Sequence, residues 1–215
     1  MPRSTLRMSA LCLTATAAVA PPAAAQAPKL GVNHKKLNVK VGTRLTVSGH
    51  LFGLAPGART RPVAALQVHR RGHWSTLDRD RLSASGRFVL HERARDAASL
   101  RARVRLSSGQ ARRLGRLNIY RYAQASWYGP GLYGNHTACG QVLRRGTIGV
   151  AHRTLPCGTT IKFSYHGHTL VTKVIDRGPY TKGNDFDLTN GARLALDFEG
   201  VGRVRYAVAI GSAKR

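Results

Sequence analysis

Residues 99–106 read SLRARVRL, with Leu100, Ala102, Val104 and Leu106 on one parity and Arg101, Arg103 and Arg105 on the other. A period of two belongs to a strand with one buried and one wet face, and a helix cannot satisfy it. The alternation returns in KKLNVKVGTRLTVSGHLFG, through Leu37, Val39 and Val41 and then Leu45 and Val47. ALQVHRRGHWSTLDRD carries a Gly-bearing turn between two strands, with His69 and His73 flanking RRG on a hairpin. SASGRFVLHE repeats the turn-then-strand pattern, and RLNIYRY closes the set. Short strands at regular turns predict an antiparallel sandwich. Residues 29–120 are therefore expected to form an immunoglobulin-like β-sandwich. No catalytic constellation stands out there. Asp78 and Asp80, either side of Arg79, read as solvated charge or a local ion pair, and Trp74 reads as a sugar platform or a partly buried sandwich aromatic.

A length of 215 residues suits two small domains. The first 27 residues read as a secretory signal: Arg3 and Arg7, the apolar run MSALCLTATAAVA, then small-residue cleavage sites after Ala25 or Ala27. The run is short for a membrane span. Cys12 falls inside the signal, which leaves Cys139 and Cys157. In an exported chain two cysteines most simply form one disulfide; a reactive thiol is the alternative, opposed by export and by the lack of a Cys-His motif. The formal charge is +26, from thirty-five Lys and Arg against nine acids. Such a charge calls for anionic surroundings. Export argues against nucleic acid and points to wall polymers, acidic glycans or lipid headgroups.

Composition shifts near Tyr122. ASWYGPGLYGNHTACGQ is rich in Gly and aromatics, and GTIGVAH, GTTIKFSY and HTLVTKVID each read as a strand. HGH at 166–168 is a turn between two of them. DLTNGARLALDF carries a short helical pattern that includes Leu194, with Asp187 or Thr189 near its start, and VGRVRYAVAI is a last strand. Strands with one short helix predict a compact barrel over 122–213.

ASWYGPGLYGNHTACGQ, GVAHRTLPCGT, VIDRGPY and DFDLT together resemble the rare lipoprotein A family, in its order, from about Ala125 to Ala209. The resemblance implies a six-stranded double-psi β-barrel, a fold shared with barwins and expansins, and so an all-β protein overall. It also implies a peptidoglycan substrate. Some members are lytic transglycosylases that cleave beside N-acetylmuramic acid without water and leave 1,6-anhydro ends.

Carried over by motif, Asp176 of IDRGP and His152 of AHRTLP match residues implicated in activity. Asp187 of FDL is a further candidate acid, by likeness to expansins, or else a helix cap. The family's glutamate position is Gln141 here, in ACGQ. Gln can hydrogen-bond a sugar but cannot transfer a proton at neutral pH. Tyr128 and Tyr133 are groove candidates for stacking on sugar faces, Arg177 is a further substrate-binding candidate, and Trp127 suits burial. His136, His166 and His168 have no metal-ligand spacing, so no metal and no cofactor are expected. Two readings stay open: a secreted lytic transglycosylase acting on glycan strands, or an expansin-like wall protein that binds or loosens polymer without cutting it. Either would be a monomer with no membrane span and no nucleic-acid partner.

Overall fold

The computed structural model describes residues 27–33, 37–54 and 60–209. The expected signal, with Cys12, lies outside the described residues apart from Ala27. The first half contains β1 (Lys29–Asn33), β2 (Asn38–Lys40), β3 (Arg44–Phe52), β4 (Val63–Arg70), β5 (His73–Arg81), β6 (Arg87–Arg93) and β7 (Ala98–Leu106), and β8 (Ala111–Tyr128) runs on into the second. β1, β3 and β6 form a three-stranded sheet; β2, β8, β7, β4 and β5 follow one another in a larger one. The inner parities of both supply one apolar cluster, including Val47, Leu66, Val68, Leu90, Leu100 and Val104. The β4–β5 hairpin turns through Arg71 and Gly72, between His69 and His73 as the sequence indicates.

Asp78 and Asp80 correct the expectation of solvated charge. Asp80 Oδ2 accepts from the N–H of Val89 at 2.8 Å, and Asp78 Oδ2 from that of His91 at 2.7 Å. These carboxylates join β5 to β6 across the gap between the two sheets, where side chains replace a backbone ladder.

The second half adds β9 (Val150–Ala151), β10 (Thr160–Tyr165), β11 (His168–Asp176), β12 (Phe186–Thr189), the helix α1 (Asn190–Ala195) and β13 (Gly202–Ala209). Pairing runs β8–β12–β9–β11–β10–β13 and returns from β13 to β8, which closes a six-stranded ring. The β8–β12 and β9–β11 pairs are parallel and the others antiparallel. Closure leaves no edge strand unpaired. Ala125, Val150, Phe163, Val174, Phe186 and Leu188 lie in its apolar interior. His166 and Gly167, both at positive φ, make the turn between β10 and β11. The architecture is all-β, and among the described residues no helix is long and apolar enough to cross a membrane.

Two local expectations change. Asp187–Thr189, read as the start of the helical pattern, lie in the strand Phe186–Thr189, whose backbone pairs in parallel with Ala125–Tyr128. The helix has only six residues and Leu194 on it is exposed. Its cap is Thr189, whose Oγ1 accepts from the N–H of Ala192 at 3.2 Å. The composition shift at Tyr122 also falls inside β8, an unbroken strand of 18 residues. Its first part pairs with β7 and its last residues with β12 and β13.

Candidate active site at the barrel rim

The register of three strands sets the site. Asp176 of β11 and Asp187 of β12 both lie opposite Ala151 of β9, and Asp187 also lies opposite Ser126 of β8. Residues in register share a face. The row Ser126–Asp187–Ala151–Asp176 therefore points one way, while its neighbours Phe186, Val150 and Ile175 are buried. The small Ala151 side chain leaves room between the acids. A cleft of about 290 Å³ opens there, lined by Tyr128, Leu132, Ala138, Asp176, Tyr180 and Asp187 among others.

The two carboxyls are held differently. Asp176 Oδ1 accepts from the N–H groups of Ala138 and Arg177, each at 2.8 Å. These bonds fix the carboxyl plane and leave Oδ2 free of the backbone. Asp187 Oδ1 accepts from the hydroxyl of Ser126, which accepts in turn from Asn184 Nδ2 at 2.6 Å. The hydroxyl of Tyr128 is buried beside them, near Asp176 but short of good hydrogen-bond geometry. Burial first, then Asp176 and Asp187, push its pKa well above the ordinary phenol value. It therefore stays protonated and keeps a proton to donate.

The disulfide anticipated from the sequence is present, between Cys139 and Cys157, with Cα atoms 5.8 Å apart. It joins the turn carrying Ala138 to the turn at 154–157, on either side of the end of β11. Arg177, expected to bind substrate, lines the cleft, but its guanidinium reaches behind it. NH1 donates to the carbonyls of Leu155 at 3.0 Å and His152 at 3.3 Å, and NH2 to Cys157 Sγ at 3.4 Å.

His152 belongs to the opposite parity from Ala151, and its ring lies 4.8 Å from that of the core residue Phe186. Its Nδ1 accepts from the N–H groups of Thr154 at 3.1 Å and Leu155 at 3.0 Å, so the ring proton is on Nε2. Burial first and Arg153 second lower its pKa, with a smaller contribution from Arg177 and an opposing one from Asp185. What His152 brings to the rim is its main chain, whose N–H donates to the carbonyl of Asp176 at 3.2 Å.

Gln141 is exposed, and its main chain pairs with Thr137 at the base of the Ala138 turn. Tyr133 packs over Gly129, where a Cβ would lie 2.7 Å from the tyrosine hydroxyl. Trp127 is half-buried, with Arg193 4.7 Å over its ring. Sequence reading missed Tyr180, which is 86% exposed at the cleft. Its signal was its place directly after the DRGP turn. It also missed Ser126, which the parallel pairing of β8 with β12 brings to Asp187, and Asn184, which donates to Ser126. Among the described residues no cluster of His, Cys, Asp and Glu could hold a metal ion.

Residues 122–208 match a family model described as lytic transglycolase. The chain is 44% identical over 84 residues to the probable endolytic peptidoglycan transglycosylase RlpA of a Synechocystis species, covering 37% of this chain and 26% of that protein. It is 36% identical over 75 residues to the endolytic peptidoglycan transglycosylase RlpA of Campylobacter jejuni, covering 34% and 27%. The chain thus spans about a quarter of the length of these relatives. Among solved structures, the Streptomyces papain inhibitor aligns with 42% of this chain and 94% of its own, at 23% identity and a TM-score of 0.34. The closed six-stranded ring and the matched segment coincide, and residues 122–208 belong to the RlpA-like double-psi β-barrel family.

Proposed function

We propose that the protein is exported and that its barrel is a lytic transglycosylase acting on peptidoglycan glycan strands, with Asp176 as the proton-handling group. The observation that carries this reading is the hold on Asp176. Two backbone N–H groups fix one oxygen of a carboxyl that lines the same cleft as Tyr128 and Tyr180. The relatives' names supply the substrate class.

The chemistry needs one carboxyl. Its proton goes to the glycosidic oxygen as the bond from C1 of N-acetylmuramic acid breaks. The carboxylate then takes the proton of that sugar's 6-hydroxyl as O6 bonds to C1, and the anhydro ring closes without water. This differs from hydrolysis, where a second carboxylate serves as base or nucleophile. Asp187, already bonded to Ser126, orients sugar hydroxyls. The Tyr128 hydroxyl donates toward developing charge at Asp176. The exposed Tyr180 ring offers an apolar face to a sugar. His152 and Arg177 hold the turn behind Asp176, and Gln141 and Tyr133, which are not among the residues lining the cleft, are assigned no step. A single working acid is compatible with Gln141 at the family's glutamate position.

Mass spectrometry of purified glycan strands after incubation with the mature protein tests the reading. Anhydromuramyl ends are expected. Reducing ends would mean hydrolysis, and unchanged strands that still bind would favour the non-cutting, expansin-like reading.

A further inference from the structure

Strand parity sorts the charges of the first half. On the outer face of the β8–β7–β4–β5 sheet the cross-strand rows read Arg116–Arg101–His69–Trp74, Arg113–Arg103–Gln67–Thr76 and Ala111–Arg105–Ala65–Arg79. Arg81 shares the outward parity of Arg79, opposite Val63. The aspartates between them, Asp78 and Asp80, point the other way and are engaged by β6. Seven arginines thus share a face with no carboxylate among the described residues, and all but the half-buried Arg103 are exposed.

Like charges directly opposite each other, as in Arg101–Arg116 and Arg103–Arg113, cost stability. Only neutral partners offset this. Arg101 meets His69 Nδ1 at 3.2 Å, Arg103 Nε donates to Gln67 Oε1 at 2.9 Å, and Arg116 donates to Ser99. Burial and then Arg105 hold Arg103 below the ordinary guanidinium value. The contact between His168 and Asp197 lies elsewhere. Between Arg79 and Arg105 a depression of about 190 Å³ opens over Ala65, beside Gln67, Thr76 and Ser107. The face is built for external anions.

We propose that this face docks a linear polymer of repeating phosphate groups outside the cell. Guanidinium forks pair bidentately with phosphate oxygens, and the two non-bridging oxygens of a phosphate within a polymer can accept from more than one fork. Opposed arginine pairs supply two forks per anion. Outward residues repeat at about 7 Å along a strand, so successive rows suit a chain of anions rather than one. Nucleic acid fits less well, because base stacking needs a free aromatic face. Trp74 is covered by the Arg103 guanidinium at 4.0 Å and by the His69 edge at 5.3 Å. The inference stands apart from the chemistry of the barrel.

The test is equilibrium binding of the mature protein to inorganic polyphosphate across a salt series. R101Q/R103Q/R105Q should weaken binding about tenfold or more at about 0.1 M salt and lower the salt slope by roughly one per arginine removed. R44Q/R87Q/R93Q removes the same charge from the opposite sheet and should cost less than about threefold by the same reasoning. Equal losses in the two triple variants would reduce the effect to net charge and overturn the proposal. So would polygalacturonate of matched charge binding as tightly as polyphosphate, or an oligothymidylate binding more tightly. Arginine modification by a dicarbonyl reagent, mapped by mass spectrometry, needs no variant. Polyphosphate should protect Arg101 and Arg105 in the unmutated protein, and protection confined to other arginines would sink the idea.

Discussion

Asp176 and Asp187 stand in one cross-strand row with Ala151 between them. Their Cα atoms are two ladder spacings apart, roughly 10 Å. The barrel thus presents two acids to one cleft while tying one to the main chain and the other to a serine. That difference in support is the basis for assigning them different work.

Asp176→Asn preserves shape and removes proton transfer. It should lower the rate of glycan cleavage by about a hundredfold or more and leave glycan binding nearly unchanged. Asp187→Asn weakens the Ser126 contact and should cost about 1 kcal/mol of stability with only partial loss of rate. Cleavage rates and denaturant midpoints separate the two. Equal cleavage by wild type and Asp176→Asn would transfer the role to Asp187.

Reduction of Cys139–Cys157 should lower stability by roughly 3 kcal/mol in the chain-entropy model. Locally, the turn carrying Ala138 should loosen from Asp176. Hydrogen exchange at Ala138 N–H, compared with and without reductant, reports this directly. Unchanged protection there would show that the turn is held without the bridge.

His152 gives a pH dependence whose sign is fixed. Its folded pKa is lowered, so on acidification the unfolded chain takes up the proton first. Stability should be complete above about 6.5, the ordinary histidine value, and fall below it until the folded group also protonates. Urea midpoints between pH 7.5 and 5 should therefore decline, and His152→Gln should flatten the decline. An identical slope in the variant would exclude His152 as its source.

Gly191→Ala would ordinarily favour a helix by about 1 kcal/mol. Here a Cβ would lie 2.5 Å from the carbonyl oxygen of Thr147 and 2.6 Å from that of Gly146. Backbone cannot yield as a side chain can, so the clash wins. The variant should lose roughly 1–3 kcal/mol, measured as a lower thermal midpoint.

Strands such as 99–106 were legible because one face is apolar and the other charged, and period two records that directly. The RRG and HGH hairpins were legible from their turn residues. The strand 186–189 was not, because FDLT precedes a helix and its partner, Ala125–Tyr128, lies some sixty residues earlier. Asp176 was legible from its motif, but its N–H donor Ala138 was not, since that contact needs the disulfide-linked turns in place. His152 shows the limit most plainly. Its motif marks it for the site by resemblance, yet one step from Ala151 its ring lies against Phe186.

The unbroken β8 has a consequence for where the cleft can reach. Arg116 on the arginine face and Tyr128 at the cleft lie on the same strand, roughly 40 Å apart at strand rise. A flexible linker would let an anchored enzyme sweep a volume and sample bonds at random. A continuous strand paired along its length removes that freedom. Wherever the face takes hold, the cleft stays at a set reach from that anchor.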